Sequence, residues 1–126
     1  MRAMENGTAR RHVLIVEDEG VLRSQYERFF RPRYALSFAA TGAEALALLA
    51  DADDTDLLVL DMQLPDTDGV ALLREIREAH PELPVIITTA YLSIEPQLRL
   101  LDVAYQDYIV KPFRLEELGA RIDAAL

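Results

Sequence analysis

Acids that close short apolar runs are the residues of this chain with the clearest capacity for chemistry. Leu57-Leu58-Val59-Leu60 ends on Asp61, and His12-Val13-Leu14-Ile15-Val16 ends on Glu17-Asp18-Glu19. Val85-Ile86-Ile87 ends on Thr88-Thr89, and Asp107-Tyr108-Ile109-Val110 ends on Lys111. Carboxylates brought together repel one another and resist ionising. A hard divalent cation removes that conflict, and Mg²⁺ with carboxylates and waters is the natural choice. The lysine supplies a further positive charge and the threonine a directional donor. Such a set suits a phosphoryl group. Asp61 would be the nucleophile that becomes an aspartyl phosphate. Mg²⁺ would bridge a carboxylate oxygen and a phosphoryl oxygen. Lys111 would pair with a second phosphoryl oxygen and Thr89 would hydrogen-bond the third.

These groups come from four distant segments, so the elements that carry them must align their ends. Each apolar run is too short for a helix and suits a strand buried on both faces. Between the runs lie helical patterns. Leu22, Tyr26, Phe29 and Phe30 form one apolar face, with Asp18 as a cap and Pro32 as a stop. Tyr34 to Ala39 reads as a second, less regular strand. Thr41 and Glu44 make a capping box for a second helix with Ala43, Leu46, Ala47 and Ala50 inward. Asp68 caps a third helix with Val70, Leu73, Ile76 and Ala79 inward. Ile94, Leu98 and Leu101 mark a fourth, with Pro96 tolerable only near its first turn. Leu115, Leu118, Ile122 and Ala125 mark the last. Strand and helix thus alternate five times, which predicts an α/β domain with one parallel sheet covered on both faces. In such a sheet all carboxyl ends lie along one edge, where the reactive groups can converge.

The chain has 126 residues and is 51% apolar, enough for one domain with a real core. A formal net charge of -9 argues against direct binding to nucleic acid or an anionic membrane, and for a protein partner or a cation. Without cysteine there is neither a disulfide framework nor a thiolate metal site, which is compatible with the expected cytoplasmic location. No apolar run reaches the length of a membrane span, and the start lacks a signal peptide's apolar core. Residues 1–11 are polar and basic and are expected to be a flexible lead-in to a single domain over residues 12–126. The last helix runs to Leu126 without a polar tail, as a piece of a longer chain would.

Four motifs carry a resemblance. They are Val-Leu-Ile-Val-Glu-Asp-Glu, Leu-Asp-Met-Gln-Leu-Pro-Asp-Thr-Asp-Gly, Pro-Val-Ile-Ile-Thr-Thr-Ala-Tyr and Asp-Tyr-Ile-Val-Lys-Pro-Phe. In this order and spacing, over His12 to Leu126, the chain resembles the receiver domain of two-component response regulators. The resemblance implies a doubly wound, flavodoxin-like sheet of five strands in the order 2-1-3-4-5 with five helices. It makes Asp61 the phosphoacceptor, Asp18 the direct metal ligand of the acidic pair and Glu17 its partner acting mostly through water. The backbone carbonyl of Gln63 becomes a further metal ligand, Thr89 the switch hydroxyl, Lys111 the phosphoryl-binding lysine and Tyr108 the switch aromatic. A sensor histidine kinase or phosphotransfer protein would be the donor. The remodelled face would be that of the fourth helix, fifth strand and fifth helix. A homodimer through that face is also implied, with Asp107, Glu117 and Arg121 as the charged residues to pair across it. A cis peptide is expected at Lys111-Pro112, where proline lowers the penalty. Gln63 and Tyr91 flank the site and are expected to tune how fast water removes the phosphoryl group. Glu17 stands where an aspartate is commoner, Ala104-Tyr105 where a Gly-Ala pair is usual, and Leu92 and Pro96 give the fourth helix an unusual start.

Such a domain accepts one phosphoryl group on itself and is not a turnover enzyme. One rival is a phosphorylation-independent interaction module of the same fold. Another is an enzyme. A flavin-binding protein of related topology needs a Ser/Thr/Gly-rich loop after the first strand, where acids stand. A phosphatase with an aspartate nucleophile needs an acid two residues on, where Gln63 stands. His12 and His80 are expected to be peripheral, which disfavours a histidine phosphotransfer protein.

Overall fold

The computed structural model describes residues 4–5, 8–51, 54–90 and 105–126. In chain order the elements are β1 (Met4–Glu5), β2 (Thr8–Ala9), β3 (His12–Val16), α1 (Gly20–Phe30), β4 (Ala35–Ala39) and α2 (Gly42–Asp51). They continue with β5 (Leu57–Asp61), α3 (Gly69–Ala79), β6 (Val85–Thr89), β7 (Asp107–Val110) and α4 (Leu115–Ala125). β4, β3, β5, β6 and β7 form one sheet in that order, all parallel. Counted along the chain, its strands run 2-1-3-4-5, as expected. The predicted fourth helix, with Ile94, Leu98 and Leu101, lies outside the described residues. So does Tyr91. Within residues 1–11, Met4–Glu5 pairs with Thr8–Ala9 in a minimal antiparallel ladder, structure that composition alone does not announce.

Side chains alternate across a strand, so each central strand feeds two cores. Leu14, Val16, Leu58, Leu60, Val85 and Ile87 pack on one face with α2 and α3. Val13, Ile15, Leu57, Val59, Ile86 and Ile109 pack on the other with Tyr26 and Phe30 of α1 and Leu118 and Ile122 of α4. Every residue of β5 and β6 is buried, which is why Leu57–Leu60 and Val85–Ile87 read as unbroken apolar runs.

Helix ends and stripes depart from expectation in several places. Asp18 does not cap α1. Glu19 holds the N-cap position and makes no side-chain cap. The Glu17 carboxylate accepts the Glu19 N–H at 3.2 Å, so this corner is shaped by the acid cluster and the helix starts later. In α2 the buried residues are Gly42, Ala45 and Leu49, with Leu46 partly buried, while Ala43, Ala47 and Ala50 are exposed. A helix of Ala and Leu nearly all round leaves its rotation undetermined by periodicity. In α3, Val70, Leu72, Leu73 and Ile76 are buried but Ala79 is exposed. The predicted Asp68 cap forms, its side chain accepting from Val70 N at 3.0 Å. Thr41 caps α2 as expected, with Glu44 N on Thr41 Oγ1 at 3.1 Å, but the Glu44 carboxylate accepts from Ala40 N at 3.2 Å, one residue before the N-cap, so the reciprocal half of the box is displaced.

The N-terminus of α2 is anchored from outside it. Asp66, in the loop after β5, accepts Gly42 N at 2.9 Å and Ala43 N at 3.1 Å, a cap supplied by a distant segment. These two amides hold the Asp66 carboxyl below the usual aspartate range. A depressed folded-state value means stability that is present above the unfolded value and is lost as pH falls through the folded one. Asp66→Asn is therefore expected to lower the melting temperature at pH 7. The gap to the wild type should close as pH drops below about 4, which circular dichroism melts at both pH values would check.

α3 also approaches β5 closely. A Cβ on Gly69 would lie 2.6 Å from Met62 Cα and 2.7 Å from its carbonyl oxygen, both backbone atoms that cannot yield cheaply. Gly69→Ala is expected to cost about 1–3 kcal/mol in urea unfolding, the usual range for overpacking. It presses on the segment that follows Asp61.

Candidate functional site

Strand register decides which of the predicted residues meet. Val16 pairs with Leu60, Leu60 with Ile87 and Ile87 with Tyr108. One step further along each strand, Glu17 falls level with Asp61, Asp61 pairs with Thr88 and Thr88 with Ile109. Glu17, Asp61 and, two residues past Ile109, Lys111 therefore share one face at the carboxyl edge. The ammonium of Lys111 donates to Glu17 Oε1 at 2.8 Å and to Asp61 Oδ2 at 3.1 Å. Both acids are about 1% exposed. Asp18, the next residue, is exposed at the rim. Glu17, Asp18 and Asp61 each offer a carboxylate oxygen within 4.8 Å of the others.

Electrostatics in this cluster is under-compensated. Burial pushes the Glu17 carboxyl above its usual range and the charge of Asp61 adds to the effect, against the opposing pull of Lys111. Burial pulls the Lys111 ammonium down, but its bond to Glu17 and the charges of Asp61 and Glu17 prevail, and the net shift is upward. One ammonium thus faces several carboxylates in a partly dry site. Hard oxygen donors this close, with negative charge left over, fit a hard divalent cation. The remaining polar groups are anchored. Glu17 N donates to Ala39 O at 2.9 Å, and Arg23 Nη1 donates to Glu17 O at 2.8 Å. The Lys111–Pro112 peptide is cis. Beneath the site Tyr26 is buried and stacked on Phe113, with ring centroids 6.5 Å apart. Burial beside Glu17 and Asp61 pushes its phenol upward.

Thr89 belongs to the other register parity. It pairs with Val110, two past Tyr108, so Thr89 and Tyr108 share the face opposite to that of the acids and Lys111. Thr89 is fully buried, and Tyr108 is half-buried in an edge-to-face contact with Tyr105 at 6.4 Å. Gln63 joins the two sets. Its backbone N–H donates to Asp61 Oδ1 at 3.0 Å, and its side-chain Nε2 donates to Thr89 Oγ1 at 3.2 Å. Its Oε1 accepts Ala90 N at 3.1 Å.

Sequence reasoning placed Gln63 beside the site but not its side-chain bonds. It missed Asp66 and Arg23, and no spacing in the sequence points to either contact. Asp107 and Arg121, expected to pair across a dimer, pair within one chain at 2.7 Å. His12 lies at the opposite end of the sheet, bonded to Ser37 Oγ at 2.6 Å. None of the described helices is long and apolar enough to cross a membrane.

Known proteins share this arrangement of sequence and fold. Response regulator MprA of Mycobacterium avium (strain 104) is 37% identical over 115 residues, 90% of this chain and 50% of that protein. The MprA of Mycobacterium ulcerans (strain Agy99) is 37% identical over the same length, 49% of that protein. The chain thus spans about half the length of the curated relatives it matches. Response regulator TrrA from Thermotoga maritima, solved in complex with Mg²⁺-BeF, superposes with a TM-score of 0.82 at 28% identity, covering 92% of this chain and 99% of that one. Chemotaxis response regulator CheY4 of Vibrio cholerae superposes with a TM-score of 0.84 at 26% identity, covering 94% and 100%. The profile of the response regulator receiver domain matches residues 13–123, and this chain belongs to that family.

Proposed function

We propose that this domain takes a phosphoryl group onto Asp61 from a phosphohistidine of a sensor histidine kinase or phosphotransfer protein. The observation that carries the reading is the meeting of Lys111 with both Glu17 and Asp61, beside Asp18, at the carboxyl edge of the sheet. In the transfer an Asp61 carboxylate oxygen forms the new P–O bond and the P–N bond to the donor imidazole breaks, its electron pair staying on the nitrogen. Glu17, Asp18, Asp61 and the Gln63 carbonyl would hold Mg²⁺, which when bound supplies positive charge against the phosphoryl oxygens. Gln63 N holds Asp61 Oδ1 in a fixed orientation. Lys111 exchanges its bond to Asp61 Oδ2 for one to a phosphoryl oxygen. Burial of Asp61 keeps bulk water from the acyl phosphate once it forms.

The Thr89 hydroxyl then turns toward the phosphoryl group and Tyr108 moves into the space released. Both lie on the same face of the sheet, which supports their acting together. The output is a remodelled surface around β7 and α4, including the Asp107–Arg121 pair, and this surface is where a second copy would dock. The domain works as a self-modifying switch, not a turnover enzyme, in the cytoplasm. Incubation with Mg²⁺ and acetyl phosphate, followed by intact mass, tests the reading. A labile gain of one phosphoryl mass is the expected result; no adduct would leave an inert interaction module.

A further inference from the structure

We infer that the Gln63 carboxamide is the resting-state latch of this switch, holding Thr89 and Ala90 away from their phosphorylated position. The inference rests on Asp61 being the phosphoacceptor and adds the element that opposes the change. The orientation of the carboxamide follows from its partners. Ala90 N can only donate, so Oε1 must face it, which turns Nε2 toward the Thr89 hydroxyl. One planar group therefore grips both the switch side chain and the backbone amide of the next residue. Its own backbone is fixed in turn, by the bond from Gln63 N to Asp61 Oδ1 and by pairing with Asp68. The latch is thus mounted on the segment that carries the phosphoacceptor and grips the end of β6.

Register shows why a latch is needed. Thr89 and Asp61 lie on opposite parities, so the hydroxyl must reorient to reach a phosphoryl group on Asp61, and its bond to Gln63 opposes that movement. A phosphoryl group on Asp61 must then outcompete the two side-chain bonds of Gln63. Removing them raises the fraction of molecules already competent to close, and the apparent affinity for a phosphoryl mimic rises by the same factor. Net values of ordinary hydrogen bonds set that factor at about three- to tenfold.

Beryllofluoride separates this role from any effect on phosphoryl lifetime, because the mimic is not hydrolysed. Titrating beryllium with fluoride and Mg²⁺ in excess, and following the Thr89 and Ala90 amide signals by NMR, gives the switching midpoint. Gln63→Met removes both bonds at nearly constant length, and Gln63→Ala removes them with the whole side chain. Both are expected to lower the midpoint about three- to tenfold. Both should also speed hydrogen exchange at the Ala90 amide of the unloaded protein. A merely structural role would speed exchange and leave the midpoint in place. Midpoints within twofold of wild type in both variants would overturn the latch. Failure of the wild type itself to load would instead strike at the assignment of Asp61.

Discussion

Asp61→Asn is expected to fold and to take up no phosphoryl group from acetyl phosphate, a loss of at least about a hundredfold in adduct by intact mass. The expectation separates two roles of one carboxylate. As a nucleophile it has no substitute, because an amide oxygen does not form a stable acyl phosphate under these conditions. As a structural group it is replaceable. Asparagine keeps an oxygen for the Gln63 N–H but loses the acceptor for Lys111, which keeps its 2.8 Å bond to Glu17. The substitution also removes the charge that helps to push the Glu17 carboxyl upward. The melting temperature should therefore stay close to the wild-type value or rise. A labile adduct that persists in Asp61→Asn would move the acceptor to another acid of the cluster, with Asp18 and Glu17 the first to check.

Mg²⁺ is expected to raise the melting temperature of the wild type and to do nothing measurable for Asp18→Asn. Any ligand that binds only the folded state stabilises by mass action. At ten times its dissociation constant the gain is about 1.4 kcal/mol, which for a domain of this size is roughly 5 °C. Three carboxylates within 4.8 Å, two of them buried against one ammonium, are the reason to expect such binding. Asp18 is the informative position because it is exposed and does not cap α1. Its loss should leave the unliganded fold intact while removing a charged oxygen donor. Scanning calorimetry of both proteins, with chelator and with a Mg²⁺ series, makes the measurement. An equal rise in both would show that the cation acts elsewhere on an acidic surface.

Several features were legible in the residues before any coordinates. The unbroken apolar runs Leu57–Leu60 and Val85–Ile87 announced strands buried on both faces, because no polar side chain interrupts them. Asp61 and Lys111 stood at strand ends, where a parallel sheet gathers its chemistry. Asp68 and Thr41 were readable as caps because capping acts over three or four neighbouring residues. The stripe of α2 was not readable. Ala and Leu around the whole helix carry little directional signal, and the Asp66 grip on Gly42 and Ala43 comes from more than twenty residues away. Asp18 looked like a cap because an acid before a helix usually is one. Here its neighbour Glu17 takes the Glu19 amide into the acid cluster instead.

The sequence by itself determined the kinds of residue, their order and the two-residue alternation that splits the core between two faces. Only the tertiary structure decided which chemistry-bearing side chains share a face. Glu17, Asp61 and Lys111 meet because neighbouring strands pair in one register, and a shift of a single residue would turn each to the opposite side. The same register sets Thr89 on the other face and leaves Gln63 to bridge the gap. Alternation along a strand is a local property of the backbone. Register between strands comes from packing both cores at once, and no single segment contains it.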